Sequence, residues 1–166
     1  MANNYQNIIL YGFDNIQIKQ EGQSEYQPLI GGISVQVDIS VENITASNKN
    51  DTYIIASNII AEGQLTLLEL SLDHRKLLFG HKIEEENGMR CLVVKDTDKC
   101  PRFSLKFSRT KANGKKIIYE IPSVTFSENS IQANTVKDGQ IEEDNITISF
   151  EIYKVGDVLY RIYEEQ

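Results

Sequence analysis

Tryptophan is absent, histidine and cysteine occur twice each, and proline only three times in 166 residues. Two cysteines, Cys91 and Cys100, cannot build a disulfide framework, and a cytosolic setting would keep them reduced as small buried or edge residues. No apolar run nears the roughly 20 residues that span a bilayer. The opening Met1-Ala2-Asn3-Asn4 also lacks a secretory signal's charged and apolar regions. The expectation is a protein that stays in the cytosol of the cell that makes it, with no membrane contact. Without secretion, the Asn-x-Thr matches at Asn43, Asn50 and Asn145 read as polar turns. Positive charge is scarce as well: 17 Lys and Arg face 24 Asp and Glu, for a net charge of −7. That balance excludes a general grip on nucleic-acid phosphates, although DNA could still be enclosed without being held.

Catalytic motifs are missing too. There is no Gly-x-Ser-x-Gly elbow, no dinucleotide glycine fingerprint and no phosphate loop, each of which needs a strand followed by a helix. His74 and His81 are the only bases suited to neutral pH, and both flank one short helical segment, where an exposed position or a helix-dipole partner is the expected role. A zinc set of His74, His81, Cys91 and Cys100 has the right residue types but the wrong spacing, with eight residues between the cysteines. Asp96-Thr97-Asp98 opens like a calcium loop but lacks the glycine and closing glutamate, so it reads as a loop. Glu84, Glu85 and Glu86 before Asn-Gly form a solvated turn. The expectation is no enzyme, no catalytic residue, no cofactor and no metal. At this length roughly 70% of the unfolded surface can be buried, so stability requires neither metal nor disulfide.

What the chain has is β-branched residues: 22 Ile and 9 Val against 12 Leu and 6 Ala. They alternate with polar residues. Ile33, Val35, Val37, Ile39 and Val41 interleave with Ser34, Gln36, Asp38 and Ser40, predicting one core face and one wet face. Phe103, Leu105 and Phe107 repeat the pattern, as do Ile146, Ile148, Phe150 and Ile152. About ten antiparallel strands are expected, and the aromatic residues of the strands belong to the core. Asn113-Gly114, between Lys111 and Lys115, marks a hairpin of type I′, with lysines at an exposed tip. Asn87-Gly88, Asp138-Gly139 and Gly156-Asp157 mark further reversals. One segment, about 71–80, breaks the period: Ser71 caps it, Asp73 sits in its first turn, and Gly80 suits the C′ position, predicting a short helix with Leu72, Arg75 and Phe79 on one side. Between two apolar strands, residues 42–58 cluster Asn, Ser, Thr, Lys and Asp and are expected to form a long mobile loop. The fold class is therefore mainly β, an antiparallel β-sandwich or half-barrel with one short α-helix and that loop.

Several runs, in order, resemble the major tail proteins of long-tailed bacteriophages of the siphophage type. They begin with Gly63-Gln64-Leu65-Thr66-Leu67-Leu68-Glu69-Leu70-Ser71 and Leu77-Leu78-Phe79-Gly80-His81-Lys82. Cys100-Pro101-Arg102-Phe103 follows, then Phe107 through Lys115, Phe126-Ser127, and Asp144-Asn145-Ile146-Thr147-Ile148. The resemblance spans about residues 60–150. It implies one tail tube domain over 1–166, whereas the segment 155–166, expected as a C-terminal hairpin extension, departs from the short members of that family. It further implies self-assembly into homo-hexameric rings, stacked as the conduit through which DNA passes without specific binding. The implied partners are the tape measure, tail terminator and distal tail or baseplate proteins, and the implied location is the virion tail, assembled in the host cytoplasm. On this reading Asp38 and Glu42 face the lumen. Asn43, Thr45, Asn48, Lys49, Asn50 and Asp51 form an inter-ring loop that orders on contact. The competing expectation is a non-catalytic β-sandwich binding or adhesion module.

Overall fold

Alternation of β-branched and polar residues becomes strand along most of the chain, in a computed structural model that describes residues 10–11, 16–131 and 146–166. The elements in chain order are β1 (Leu10–Tyr11), β2 (Gln17–Gln20), β3 (Gln27–Pro28), β4 (Gly32–Ser47), β5 (Thr52–Leu67), α1 (Leu72–Phe79), β6 (Lys82–Glu86), β7 (Met89–Val93), β8 (Phe103–Lys111), β9 (Lys116–Ser127), β10 (Ile146–Ile152) and β11 (Arg161–Glu164). All pairings are antiparallel. Nine strands form one sheet of order β3-β2-β8-β9-β10-β5-β4, with β1 added to β8 and β11 to β9, while β6 and β7 stand apart as a hairpin.

The long strand β9 joins the two walls of this sandwich-like arrangement. One of its edges pairs with β8 from Lys116 to Val124. The other edge is shared, with β11 along residues 117–120 and β10 along residues 124–127. Side chains from both walls meet in one core that includes Ile18, Leu65, Phe103, Leu105, Ile121, Phe126, Ile148 and Phe150. Phe126 contacts Phe103 and Phe150 through tilted and edge-on rings with centroids 5.6 and 5.9 Å apart. Gly63 faces Val37 and Phe150 across its two neighbouring strands. A Cβ there would overlap the Phe150 ring and lie 2.5 Å from the Gln36 carbonyl oxygen, so only glycine lets β4, β5 and β10 close at this rung.

Helix α1 follows its sequence signals. Ser71 Oγ accepts from the His74 N–H at 3.1 Å, the His74 ring nitrogen accepts from the Ser71 N–H, and Gly80 ends the helix at φ 75°. Leu78 and Phe79 are buried. Arg75 pairs with Glu128 at 2.8 Å and donates to the Leu70 carbonyl at 2.9 Å, fastening α1 to the end of β9.

Several expectations need correction. Residues 42–58 are not a loop: strand runs to Ser47 and resumes at Thr52, leaving only 48–51 as a turn. The backbone groups of these polar residues are satisfied by the β4–β5 ladder, so they need no core to be ordered. Nor is the Asn113-Gly114 turn of type I′. The Gly114 N–H donates to the Lys111 carbonyl, and Gly114 alone in that turn has positive φ, which is a type I turn with a glycine bulge enclosing three residues. Asn87-Gly88, with φ of 53° and 76°, is the type I′ turn. Lys111 is not a free tip lysine either: it is 8% exposed, and its ammonium pairs with Glu164 of β11. Within residues 155–166, Gly156-Asp157 reverses the chain between the paired Val155 and Val158, and the segment then joins the main sheet as β11. Ile39 and Val41, expected in the core, are 52% and 58% exposed because no wall lies beneath them. The Asp138-Gly139 reversal and Asn145 lie outside the described residues.

Candidate functional site

Two features of the β4–β5 pair stand out: a polar sheet face with aligned carboxylates, and a projecting ribbon. The turn closes on Ser47 opposite Thr52, a register that would set Asp38 against Ala61 if the ladder were regular. A bulge between Ile44 and Thr45, with Ile55 as the extra residue, moves the register by one and sets Asp38 against Glu62. Polar residues of β4 therefore share a face with polar residues of β5. Strand β10 extends the rows, so that Asp38, Glu62 and Glu151 stand directly opposite one another on three adjacent strands. The next row is Gln36, Gln64 and Ser149, and the one after is Ser34, Thr66 and Thr147.

These three carboxylates are exposed, and among the described residues none forms an ion pair. Neutral donors serve two of them: Gln36 donates to Asp38 at 2.9 Å, and the Tyr153 hydroxyl donates to Glu151 at 2.7 Å. Like charges directly opposite cost about 0.2–1 kcal/mol per pair, so the row is an expense to the fold rather than a support. Asp38 and Glu42 lie four residues apart on the same face of β4, as their spacing implied, with Glu42 opposite Asn58 beyond the reach of β10. Glu62 and Glu151 were missed. The alternation of Ala61, Gly63 and Leu65 with Glu62, Gln64 and Thr66 carried the signal for Glu62, whereas placing Glu151 beside it requires the register of β10.

Beyond Glu62, β5 loses its β10 partner, and residues 52–61 continue with β4 alone. The result is a two-stranded ribbon about 30 Å long at the usual strand rise. Its tip is pinned by Asn48, whose side chain accepts from the N–H groups of Asn50 and Asp51 at 3.0 and 2.9 Å and donates to the Tyr53 hydroxyl at 2.7 Å. The six residues expected to form an inter-ring loop divide accordingly: Asn43 and Thr45 belong to β4, while Asn48, Lys49, Asn50 and Asp51 make the turn. On the face that continues the core side, Ile39, Val41, Ile54 and Ile59 are half or more exposed.

Where that apolar face enters the body, an apolar cleft of about 690 Å³ opens between the walls. Ile33, Val35 and Val37 line one side, and Phe107, Tyr119 and Ile162 the other. The Phe107 and Tyr119 rings stack at 4.9 Å.

His74 caps α1 and His81 pairs with Asp98 at 2.8 Å, so neither has the exposed or dipole role expected of it. Among the described residues no group of three or more His, Cys, Asp or Glu side chains is arranged to hold a metal. Asp98 also accepts the Lys95 N–H at 2.9 Å. That hydrogen bond, followed by the one from His81, holds its carboxyl below the ordinary value. Burial, with Asp98 as a smaller contributor, raises the Cys100 thiol, the opposite of nucleophile activation. Among the described residues no helix is long and apolar enough to cross a membrane. Compared with known proteins, the chain matches no family model and no curated protein.

Proposed function

We propose that this chain is a structural, non-catalytic subunit of a bacteriophage tail tube, assembling into stacked hexameric rings that conduct DNA. The observation that carries the reading is the ribbon: about 30 Å of paired strand that its own chain leaves uncovered, with Val41, Ile54 and Ile59 exposed on the core-side face and Ile44, Tyr53 and Ile60 exposed on the other. A monomer gains little from such an extension, whereas an assembly gains a contact repeated at every subunit. The acidic row on the opposite face supports the conduit. Asp38, Glu62 and Glu151, repeated around a ring, line a channel that repels phosphates and lets a duplex slide. The order of motifs from Gly63 to Ile148 supports this choice of family. The working location is the virion tail, and the working partners are the tape measure, terminator and distal tail proteins.

Negative-stain microscopy of the concentrated protein, alone and with a tail initiator complex, tests the proposal. Rings or tubes with an open lumen are expected. A chain that remains monomeric under every such condition removes the proposal's main support.

A further inference from the structure

The apolar cleft is graded from a closed floor to an open rim. Phe107 and Ile121, 7% and 2% exposed, make the floor, while Ile39 and Ile162, at 52% and 56%, stand at the rim. Its walls are strand. Along β4, Ile33, Val35 and Val37 recur at every second residue over about 13 Å, and the facing wall sets Tyr119 between Phe107 and Ile162 in one row. The opening is thus a slot between aliphatic and aromatic side chains, as long as an extended chain of about ten methylenes. Its volume of about 690 Å³ lies within the range of small-molecule sites.

The next row on that face carries a cation. Arg109 stands opposite Ile117 and also lines the cleft. Glu164 completes the row on the other edge of Ile117, but its carboxylate is taken by the Lys111 ammonium. Among the described residues the Arg109 guanidinium forms no ion pair, in a chain whose net charge is −7. A long apolar slot that ends on one guanidinium matches a molecule with the same two parts. We infer that the cleft binds an unbranched aliphatic carboxylate, a fatty acid. The tail lies between β4 and the wall of β8, β9 and β11, and the guanidinium donates two parallel hydrogen bonds to the head. Every group involved belongs to one subunit, so the site does not depend on the tube reading.

Calorimetric titration of the full chain with decanoate, below its micelle concentration, tests the site. One decanoate should bind per chain, at least tenfold more tightly than octanoate, since each buried methylene strengthens binding roughly fourfold. Decyltrimethylammonium, with the same tail and the opposite charge, should bind at least tenfold more weakly. Arg109→Gln should weaken decanoate at least tenfold and leave decan-1-ol within about threefold of the parent. Lys82→Gln, which removes a cation outside the cleft, should change neither. Val35→Trp fills the slot and should abolish binding of both. Arg109 is exposed, so its variant reads the site even where Val35→Trp fails to fold. Equal affinity for the two charged heads, or an unchanged affinity in Arg109→Gln, would overturn the inference and mark the binding as adventitious. So would a chain that ignores decanoate but floats with phosphatidylglycerol vesicles, which would assign the apolar face to a membrane surface. Absence of all binding would overturn it outright. Rings are scored separately by microscopy, so a chain that binds decanoate without forming rings keeps the site and removes only the tube.

Discussion

Asp98 receives two hydrogen bonds in a loop that contributes little to the core, and it is therefore a place where pH acts locally. Its folded-state pKa lies below the ordinary 3.8, so the stabilisation is present above that value and is lost as pH falls through the lower folded one. Protection of the Lys95 and Asp98 amides, corrected for intrinsic exchange, should fall as acid breaks the contact with His81 while the β5 and β10 amides stay protected. Asp98→Asn should flatten that dependence. Equal acid sensitivity in parent and variant would place the titrating group elsewhere. At this scale the sequence was informative about caps and turns, because a cap is satisfied within four residues: Ser71 and Gly80 behave as their positions implied. The His81 partner was not legible, since Asp98 reaches it only after β6 and β7 have turned the chain back. Lys111 misled for the same reason, its partner Glu164 lying 53 residues away.

The ribbon shows why polarity is a poor guide to order. Residues 42–58 have little to bury, and that composition suggests a loop. Yet the same segment holds Ile44, Thr45, Thr52 and Ile54, whose branched side chains suit a paired strand, and the Asn48 turn closes the ladder without help from a core. A segment expected to order on contact is already an ordered strand pair in the single chain. The bulge at Ile55, three rungs from the turn, re-aims only the tip. Deleting Ile55 lets Ile44 and Thr45 pair in an unbroken ladder without disturbing the register of the body. The deletion should change stability to denaturant by less than about 1 kcal/mol, as changes outside a core do. It should also abolish tube formation, because the tip would point elsewhere. Normal tubes from the deletion would show that ribbon direction is irrelevant to assembly.

Taken whole, the molecule places an apolar stripe and an acidic row on opposite faces of one strand pair. The antiparallel β class and the short helix were legible because they rest on local periodicity, as in Ile33–Val37 and Phe103–Phe107. The division of β9 between two walls was not, because it depends on which distant strand each half of its edge meets. If the polar face lines the lumen, a triple charge reversal of Asp38, Glu62 and Glu151 to Lys should leave the subunit folded and slow DNA ejection several-fold, by attraction to phosphate. The slowing should shrink as salt rises, since exposed charges are screened within about 8–10 Å. Ejection at the parent rate from such tubes would remove these residues from the channel.

The order of the strands along the chain also sets a sequence in time. The ribbon closes on a turn at 48–51, so it can form within microseconds of being made, the usual time for a hairpin. The far wall of the cleft waits for Tyr160 and Ile162, about 100 residues later, a delay of roughly 5–20 s at ordinary rates of synthesis. A nascent chain therefore displays its ribbon well before its cleft is complete.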